Sequence, residues 1–366
     1  MLSQKMNKFN LSPGYISGLT QTDGSFFCSM ILSSKHRFGI QFRPKYTITA
    51  DLDSKYVLDS INSFFNCGKV TINNRNHTAE FEVVKLDELN QIIIPHFNNY
   101  PVFCAKLHAF NLFKEIVNAL VNKEKRTIEG RRELLKLALS MNITTNRTAE
   151  RIDNLFSLLG VSESKDKTLL LNNIKEITTP LSSDNISGII DGDGSFFISF
   201  QKDGKIKTGF NITNDLGSKP LLEEIQKQLR NIGSIQEGSK NELVYTVNGL
   251  NQINEVLIPF IDSNPLFSER ASHYEKFKTV SIMLANEKPL SLESKLDIVE
   301  LAYDMNKKGK RRNLSKSEYR DKLKNLHQSP FPKKKGRIQY YGFINHKGGW
   351  YSRKIIIDLS RKVAIG

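Results

Sequence analysis

Residues 184–200 read DNISGIIDGDGSFFISF and set Asp191 and Asp193 two apart among three glycines. On one side lies an apolar run of helical character; on the other, apolar and polar residues alternate as in a strand. Residues 14–30 read GYISGLTQTDGSFFCSM, nearly the same words 170 positions earlier. A chain that writes one such junction twice is built from two copies of one unit.

The match continues past the junction. YTITADLDSK (46–55) pairs with FNITNDLGSK (210–219), IIIPHFNNYPVFCAKLHAFNLFK with VLIPFIDSNPLFSERASHYEKFK, and LLKLALSMN with IVELAYDMN, all at an offset of 164. The offset shortens because the first copy carries six extra residues around Ser33–Gln41. The spacing predicts an N-terminal unit at 1–142, a linker at 143–180, a second unit at 181–306 and a tail at 307–366. Two copies of this length form a pseudo-symmetric pair, not a solenoid.

Each unit reads as helix, two strands, helix, two strands, then helices, an α+β pattern. Ser12-Pro13 supplies a capping side chain and a proline in the first turn; Ser182, Ser183 or Asp184 can cap the second copy. Gly24 and Gly194 stand where a helix end takes a left-handed residue. In the strand that follows, Phe26, Cys28 and Met30 point one way, while Ser25, Phe27, Ser29 and Ile31 point the other. Phe196, Ile198 and Phe200 are opposed likewise by Ser195, Phe197, Ser199 and Gln201. In the next strand Tyr46 and Ile48 face inward with Arg43, Lys45 and Thr47 outward; Phe210 and Ile212 are inward with Lys207 and Asn211 outward. Each sheet therefore has one apolar face and one polar, partly basic face. DNLFSLLG in the linker reads as helix, and IQYYGFINHKGGWYSRKIIIDL as a hairpin turning near Gly348-Gly349.

Charge is distributed unevenly. The formal net charge is +15, and residues 307–366 account for all of it with 18 basic and 3 acidic side chains. The remaining body balances 35 of each sign, so the tail, with KKGKRR and SPFPKKKGR, points to a polyanionic partner. No apolar run approaches the roughly 20 residues of a membrane span. Cys28, Cys67 and Cys104 are spaced for neither a metal motif nor a disulfide framework, which suits a reducing compartment. The opening MLSQKMNKFN has no apolar signal-peptide core.

The small pairs Ser17-Gly18 and Ser187-Gly188 predict two helices whose backbones approach closely and deliver Asp23 and Asp193 to a shared axis. Unpaired carbonyls already make a helix C-terminus negative. Two carboxylates there repel unless a divalent cation lies between them, and oxygen-only ligands suit magnesium. An EF-hand loop starting at Asp191 is excluded, because Phe196 and Lys202 stand where Gly and Glu are needed. A lone Asp-Gly is an ordinary turn, but its recurrence between helix and strand argues against that reading. A duplicated scaffold that has lost its chemistry is the remaining structural alternative.

These two runs resemble the motifs of the LAGLIDADG homing endonucleases in their single-chain, two-motif form, over about residues 11–306. The resemblance implies two αββαββα units whose antiparallel sheets form a saddle on the DNA major groove. It implies that Asp23 and Asp193 are the metal-binding acids, with backbone carbonyls of Thr22 and Gly192 beside them. Gln21 departs from the pattern, since this sixth motif position is usually acidic, as Asp191 is. Asn214, with Ala50 opposite, falls where a residue orders the attacking water. Lys106 and Arg270 fall at equivalent places suited to neutralising phosphate, or to ordinary surface or DNA-backbone contacts.

The implied activity is site-specific hydrolysis of both strands of double-stranded DNA, with Mg2+ as cofactor and Mn2+ as a substitute. Ser29, Arg43, Lys45 and Thr47 in one half, and Ser199, Gln201, Lys207 and Asn211 in the other, are the expected readers of an asymmetric target. The alternative is an RNA maturase that assists group I intron splicing, with the basic tail on the RNA. Tail aromatics Tyr340, Tyr341, Trp350 and Tyr351 suit nucleic-acid stacking or simple packing on the body. A monomer encoded in a mitochondrial intron, or less readily a chloroplast one, is the expected setting.

Overall fold

Both motif runs fold as helices that pass directly into strands. The computed structural model describes residues 9–141, 149–160, 180–201, 203–239, 241–305, 314–328 and two strands at 338–346 and 349–357. The first unit runs α1 (Pro13–Asp23), β1 (Gly24–Leu32), β2 (Ile40–Asp51), α2 (Lys55–Phe65), β3 (Lys69–Asn73) and β4 (Thr78–Val83). It continues with α3 (Leu86–Glu88), a π turn (Leu89–Ile93), α4 (Ile94–Asn99), α5 (Cys104–Val121), α6 (Ile128–Ser140) and α7 (Ala149–Leu158).

The second unit repeats the order. It runs α8 (Ser183–Asp193), β5 (Gly194–Phe200), β6 (Ile206–Asp215), α9 (Lys219–Gln228), β7 (Ser234–Glu237) and β8 (Glu242–Val247). Then come α10 (Leu250–Gln252), a π turn (Ile253–Leu257), α11 (Ile258–Ser263), α12 (Arg270–Asn286), α13 (Leu292–Met305) and α14 (Lys316–Gln328). The sheets are antiparallel and ordered alike, β1-β2-β4-β3 and β5-β6-β8-β7. In each unit the π turn runs into Pro95 or Pro259. A ring without an N–H cannot continue the ordinary ladder, and a widened turn accommodates it.

Ser12 caps α1 through the Tyr15 amide, and Ser182 caps α8 in a reciprocal box with Asn185. The C-terminal glycines behave otherwise than expected. Gly24 (φ −87°) and Gly194 (φ −65°) are extended, not left-handed. They are glycine because a side chain would collide with the Thr20 and Ile190 carbonyls as the chain turns sharply into the strand.

Strand burial alternates as the pattern requires, and each sheet's apolar face covers its own core. The cores exchange side chains across the pseudo-dyad. Phe103 and Cys104 of the first unit pack in the second core, while Phe267 packs 4.9 Å from Tyr15 and 5.1 Å from Phe9 in the first. The serines beside the central glycines tie each helix to its own unit, Ser17 to the Tyr100 carbonyl (2.7 Å) and Ser187 to the Pro265 carbonyl (2.8 Å).

The linker helix expected at DNLFSLLG is α7, and it packs on the first unit, with Leu155 and Leu159 in that core. The segment read as tail opens with an equivalent helix. In α14 Leu323 is buried, and Leu326 lies beside Gly204 as Leu158 of α7 lies beside Gly39. Each unit thus extends one helix further than its sequence repeat. The hairpin is β9 (Ile338–His346) paired with β10 (Gly349–Ile357), His346 opposite Gly349. Its turn at Gly348, the runs KKGKRR and SPFPKKKGR, and Lys202 lie outside the described residues. The three cysteines are buried and form no disulfide among the described residues, where also no helix is long and apolar enough to cross a membrane.

His96 places an imidazole in the first core's aromatic cluster, 4.9 Å from Phe65 and 4.7 Å from Phe97. Its Nε2 lies 3.2 Å from Ser17 Oγ, and burial pushes its pKa down to about 4. Its counterpart in the second unit is Phe260.

Two outcomes follow. Gly188→Ala places a methyl on the Tyr15 carbonyl and should cost about 2–3 kcal/mol in urea unfolding; a loss under about 0.5 kcal/mol would contradict the packing. The unfolded chain protonates His96 near pH 6.5 and the folded chain only near 4, so this residue's stabilisation is lost as pH falls through that window. His96→Phe should therefore flatten the stability curve between pH 6.5 and 4 by roughly 2–3 kcal/mol. Superimposable curves for the two proteins would refute the account.

Candidate active site

Helices α1 and α8 lie so close that a Cβ on Gly18 would strike the Asn185 carbonyl, and one on Gly188 the Tyr15 carbonyl. Asn185 Nδ2 donates to the Gly14 carbonyl (3.0 Å), and Tyr15 Oη donates to Asp191 Oδ2 (2.5 Å). At the C-terminal end the Thr22 side chain occupies the space that Gly192 leaves open. Asp23 Oδ2 lies 3.2 Å from where a Gly192 Cβ would be. The Asp23 carboxylate thus overhangs the last turn of α8, one residue from Asp193.

The electrostatics carry the same geometry. Burial raises the Asp23 carboxyl to about 6, the Asp193 charge adds to the rise, and Arg270 and Lys106 oppose it. Asp23 is exposed to solvent, yet its Oδ2 lies against Gly192 in the last turn of α8. Half-buried Asp193 is also raised by burial and held back by Arg270 and Lys106. Burial lowers Lys106, against the pull of Asp193, Asp23 and Asp215. Two carboxylates and two cations therefore share one site.

Lys106 and Arg270 sit at matching places at the start of α5 and α12. Lys106 Nζ donates to the Gly24 carbonyl. Arg270 donates Nε to the Asp191 carbonyl (2.7 Å), Nη1 to that of Gly194 and Nη2 to that of Gly192. Cations on the free carbonyls of a helix C-terminus complement its dipole. The Gly192 carbonyl, expected to face a metal, is here an acceptor for Arg270.

The sixth motif positions hold loops. Gln21 Oε1 accepts from the Phe103 amide (2.8 Å), and Asp191 Oδ2 accepts from the Phe267 (2.7 Å) and Ser268 (2.9 Å) amides. These partners lie about 80 residues away in sequence, so no local signal marks them. Asn214 is half-buried near the end of β6, and its Oδ1 accepts locally from the Asp215 amide. Ala50 occupies the matching place in β2.

The polar sheet faces hold most of the expected DNA readers, with two corrections. Ser29 and Arg43 sit opposite each other, Arg43 exposed; Ser199 opposes Lys207, also exposed, and Asn211 opposes Ser195. Gln201 lies just past β5 in the tight turn to Lys205. Thr47, expected at the surface, is only 4% exposed between Ser25 and Glu82. Lys45 is bound to Glu80 (2.7 Å) and Glu82 (2.5 Å), with Lys69 on Glu82 at 2.9 Å. Sequence reading missed these acids because only the β2–β4 register places them beside Lys45.

Chemically, the site offers two carboxylates and main-chain oxygens, hard donors that fit a divalent cation such as magnesium. Among the described residues no group of three or more His, Cys, Asp or Glu is arranged to hold a metal. An ion here would complete its shell with water and substrate oxygens.

A family model described as LAGLIDADG endonuclease matches residues 16–117 and 186–281, together more than half of the chain. A relative from Neurospora crassa, named probable intron-encoded endonuclease 2, is 27% identical over 80% of this chain; the match spans only 64% of that protein. The I-LtrWI LAGLIDADG homing endonuclease bound to target DNA is 26% identical with a TM-score of 0.71, over 82% of this chain and 98% of that one. I-SmaMI bound to an uncleaved DNA target in the presence of calcium ions is 25% identical with a TM-score of 0.71, over 81% and 99%. With the doubled motif, the repeated units and the paired aspartates already in place, this match makes the chain a member of the LAGLIDADG endonuclease family.

Proposed function

We propose that the chain is a site-specific endonuclease that cuts both strands of double-stranded DNA at a long asymmetric target. The observation that carries this is the meeting of Asp23 and Asp193 at the adjoined ends of α1 and α8. A scaffold kept only for binding gains nothing from two carboxylates forced together. The names and bound states of the relatives, intron-encoded endonucleases and DNA complexes, support the same reading.

Asp23 and Asp193 would hold Mg2+, or Mn2+ in its place, with carbonyls of Thr22 and Gly192 as further oxygens. The Gly192 carbonyl is the weakest candidate, because Arg270 already occupies it. Such ions, when bound, activate water and offset charge on the leaving oxygen. Lys106 and Arg270 bring fixed positive charge to the phosphates, and Asn214 orients water in one half only. Ser29, Arg43, Ser199, Gln201, Lys207 and Asn211 face the bases, and Lys45 joins them by exchanging its glutamate partners for the duplex. Both motifs lie on one chain, so the active form is a monomer. Its setting is an organellar intron, mitochondrial by family habit. RNA splicing assistance would rest on the tail alone.

Purified protein should cut DNA spanning the intron-free allele of its host gene in magnesium and not in chelator. Asp193→Asn should cut at least about 10³-fold more slowly while binding the same duplex. Cleavage by that variant at the parental rate would defeat the catalytic assignment. In chelator at pH 8, Asp23→Asn should unfold about 2–4 °C above the parent, because it removes a charge disfavoured by burial and by the Asp193 carboxylate. Magnesium should close that gap by stabilising the parent; an unchanged gap would argue against an ion at this pair.

A further inference from the structure

We propose that Asp191 is a positioning residue that sets Arg270 against the second motif, and that its absence from the first unit makes the two DNA strands unequal substrates. This rests on the endonuclease reading above. Asp191 is 2% exposed, and both carboxylate oxygens are engaged. Oδ2 accepts from Tyr15 Oη and from the Phe267 and Ser268 amides, and Oδ1 accepts from Ser268 Oγ. The same Ser268 Oγ accepts from the Arg270 amide at 3.1 Å. Arg270 then spreads its guanidinium over the carbonyls of Asp191, Gly192 and Gly194, on both sides of Asp193.

The first unit has the same layout with weaker parts. Among the described residues Gln21 accepts from the Phe103 amide alone, and Cys104 stands where Ser268 stands. The counterpart of Tyr15 is Asn185, which bonds the Gly14 carbonyl instead of Gln21. Lys106 reaches one carbonyl, that of Gly24, on a flexible stem. A buried carboxylate accepting charge-assisted bonds fixes a loop more firmly than a neutral amide does. A planar guanidinium on three acceptors is likewise better set than an ammonium on one. Placement of this kind governs the rate of a reaction that depends on fixed charge.

The test is strand-resolved, single-turnover cleavage of the intron-free allele, with a different dye on each strand and protein in excess. The parent should cut the two strands with rate constants about threefold or more apart. Asp191→Gln, which copies the first unit, should slow one strand about tenfold and leave the other within about twofold. Arg270→Lys should slow that same strand, and adding Asp191→Gln to it should cost less than about a further twofold, since one acts through the other. If Asp191→Gln does not fold, Ser268→Ala keeps the carboxylate and both amide donors and should shift the strand ratio in the same direction. Equal slowing of both strands, or a double variant that loses the product of the two single effects, would overturn the proposal. A parent that cuts neither strand in Mg2+ or Mn2+ would instead defeat the endonuclease reading. A parent that cuts both equally, with a ratio Asp191→Gln leaves unmoved, defeats this inference alone.

Discussion

Everything distinctive about this fold depends on how closely two helices approach. Gly18 and Gly188 each face backbone of the opposite helix, and no side chain fits at either place. That contact sets Asp23 over the end of α8 and brings two like charges together where helix carbonyls already add negative field. The protein answers with Lys106 and Arg270, so the cluster is balanced by its own side chains. Burial, with the Asp193 charge added to it, still raises Asp23 to about 6. A carboxylate held at that cost in solvation is one that a bound cation would relieve.

Duplication has let the two halves drift without loss of the shared frame. His96 answers Phe260, Gln21 answers Asp191, Cys104 answers Ser268 and Lys106 answers Arg270. Each exchange preserves shape and changes polarity or donor count. The sheets differ in the same way. The outer face of the first carries a ladder of Lys45, Lys69, Glu80 and Glu82, whereas β6 and β8 of the second present Lys207, Asn211, Val244 and Thr246. Two faces so unlike would meet two unlike half-sites.

Much of this was legible because repetition and period-two alternation are local signals. Ser12-Pro13 and Ser182 announced the helix starts, and Phe26, Cys28 and Met30 announced the inward face of β1. What stayed hidden depends on long-range register. Nothing near Lys45 in sequence foretells Glu82, which arrives through the pairing of Tyr46 with Val83. Nothing near Asp191 foretells the loop at Phe267. Gly24 and Gly194 were legible as glycines but not for their reason, which is collision rather than handedness. Helix α14 was masked by its basic composition; only the spacing of Leu323 and Leu326, matching Leu155 and Leu158, betrays its kinship with α7.

The charge ladder on the first sheet bears on how such a protein would divide affinity from specificity. Partly exposed ion pairs are worth little, about 0–1 kcal/mol each, so Lys45 can exchange a glutamate for a base or phosphate at small cost. The glutamates left behind repel phosphate but accept from the amino group of cytosine, which penalises most sequences and favours a few. A face of this composition discriminates more than it grips. Non-specific hold on a polyanion scales with net positive charge, and the body of the chain has none to spare. The whole excess of +15 lies beyond residue 306. On the proposed function, then, the body would read the duplex and the tail would retain it. Replacing the basic residues beyond α14 with glutamine, which leaves that helix in place, should weaken binding to every sequence alike, with the order of preference among sequences unchanged.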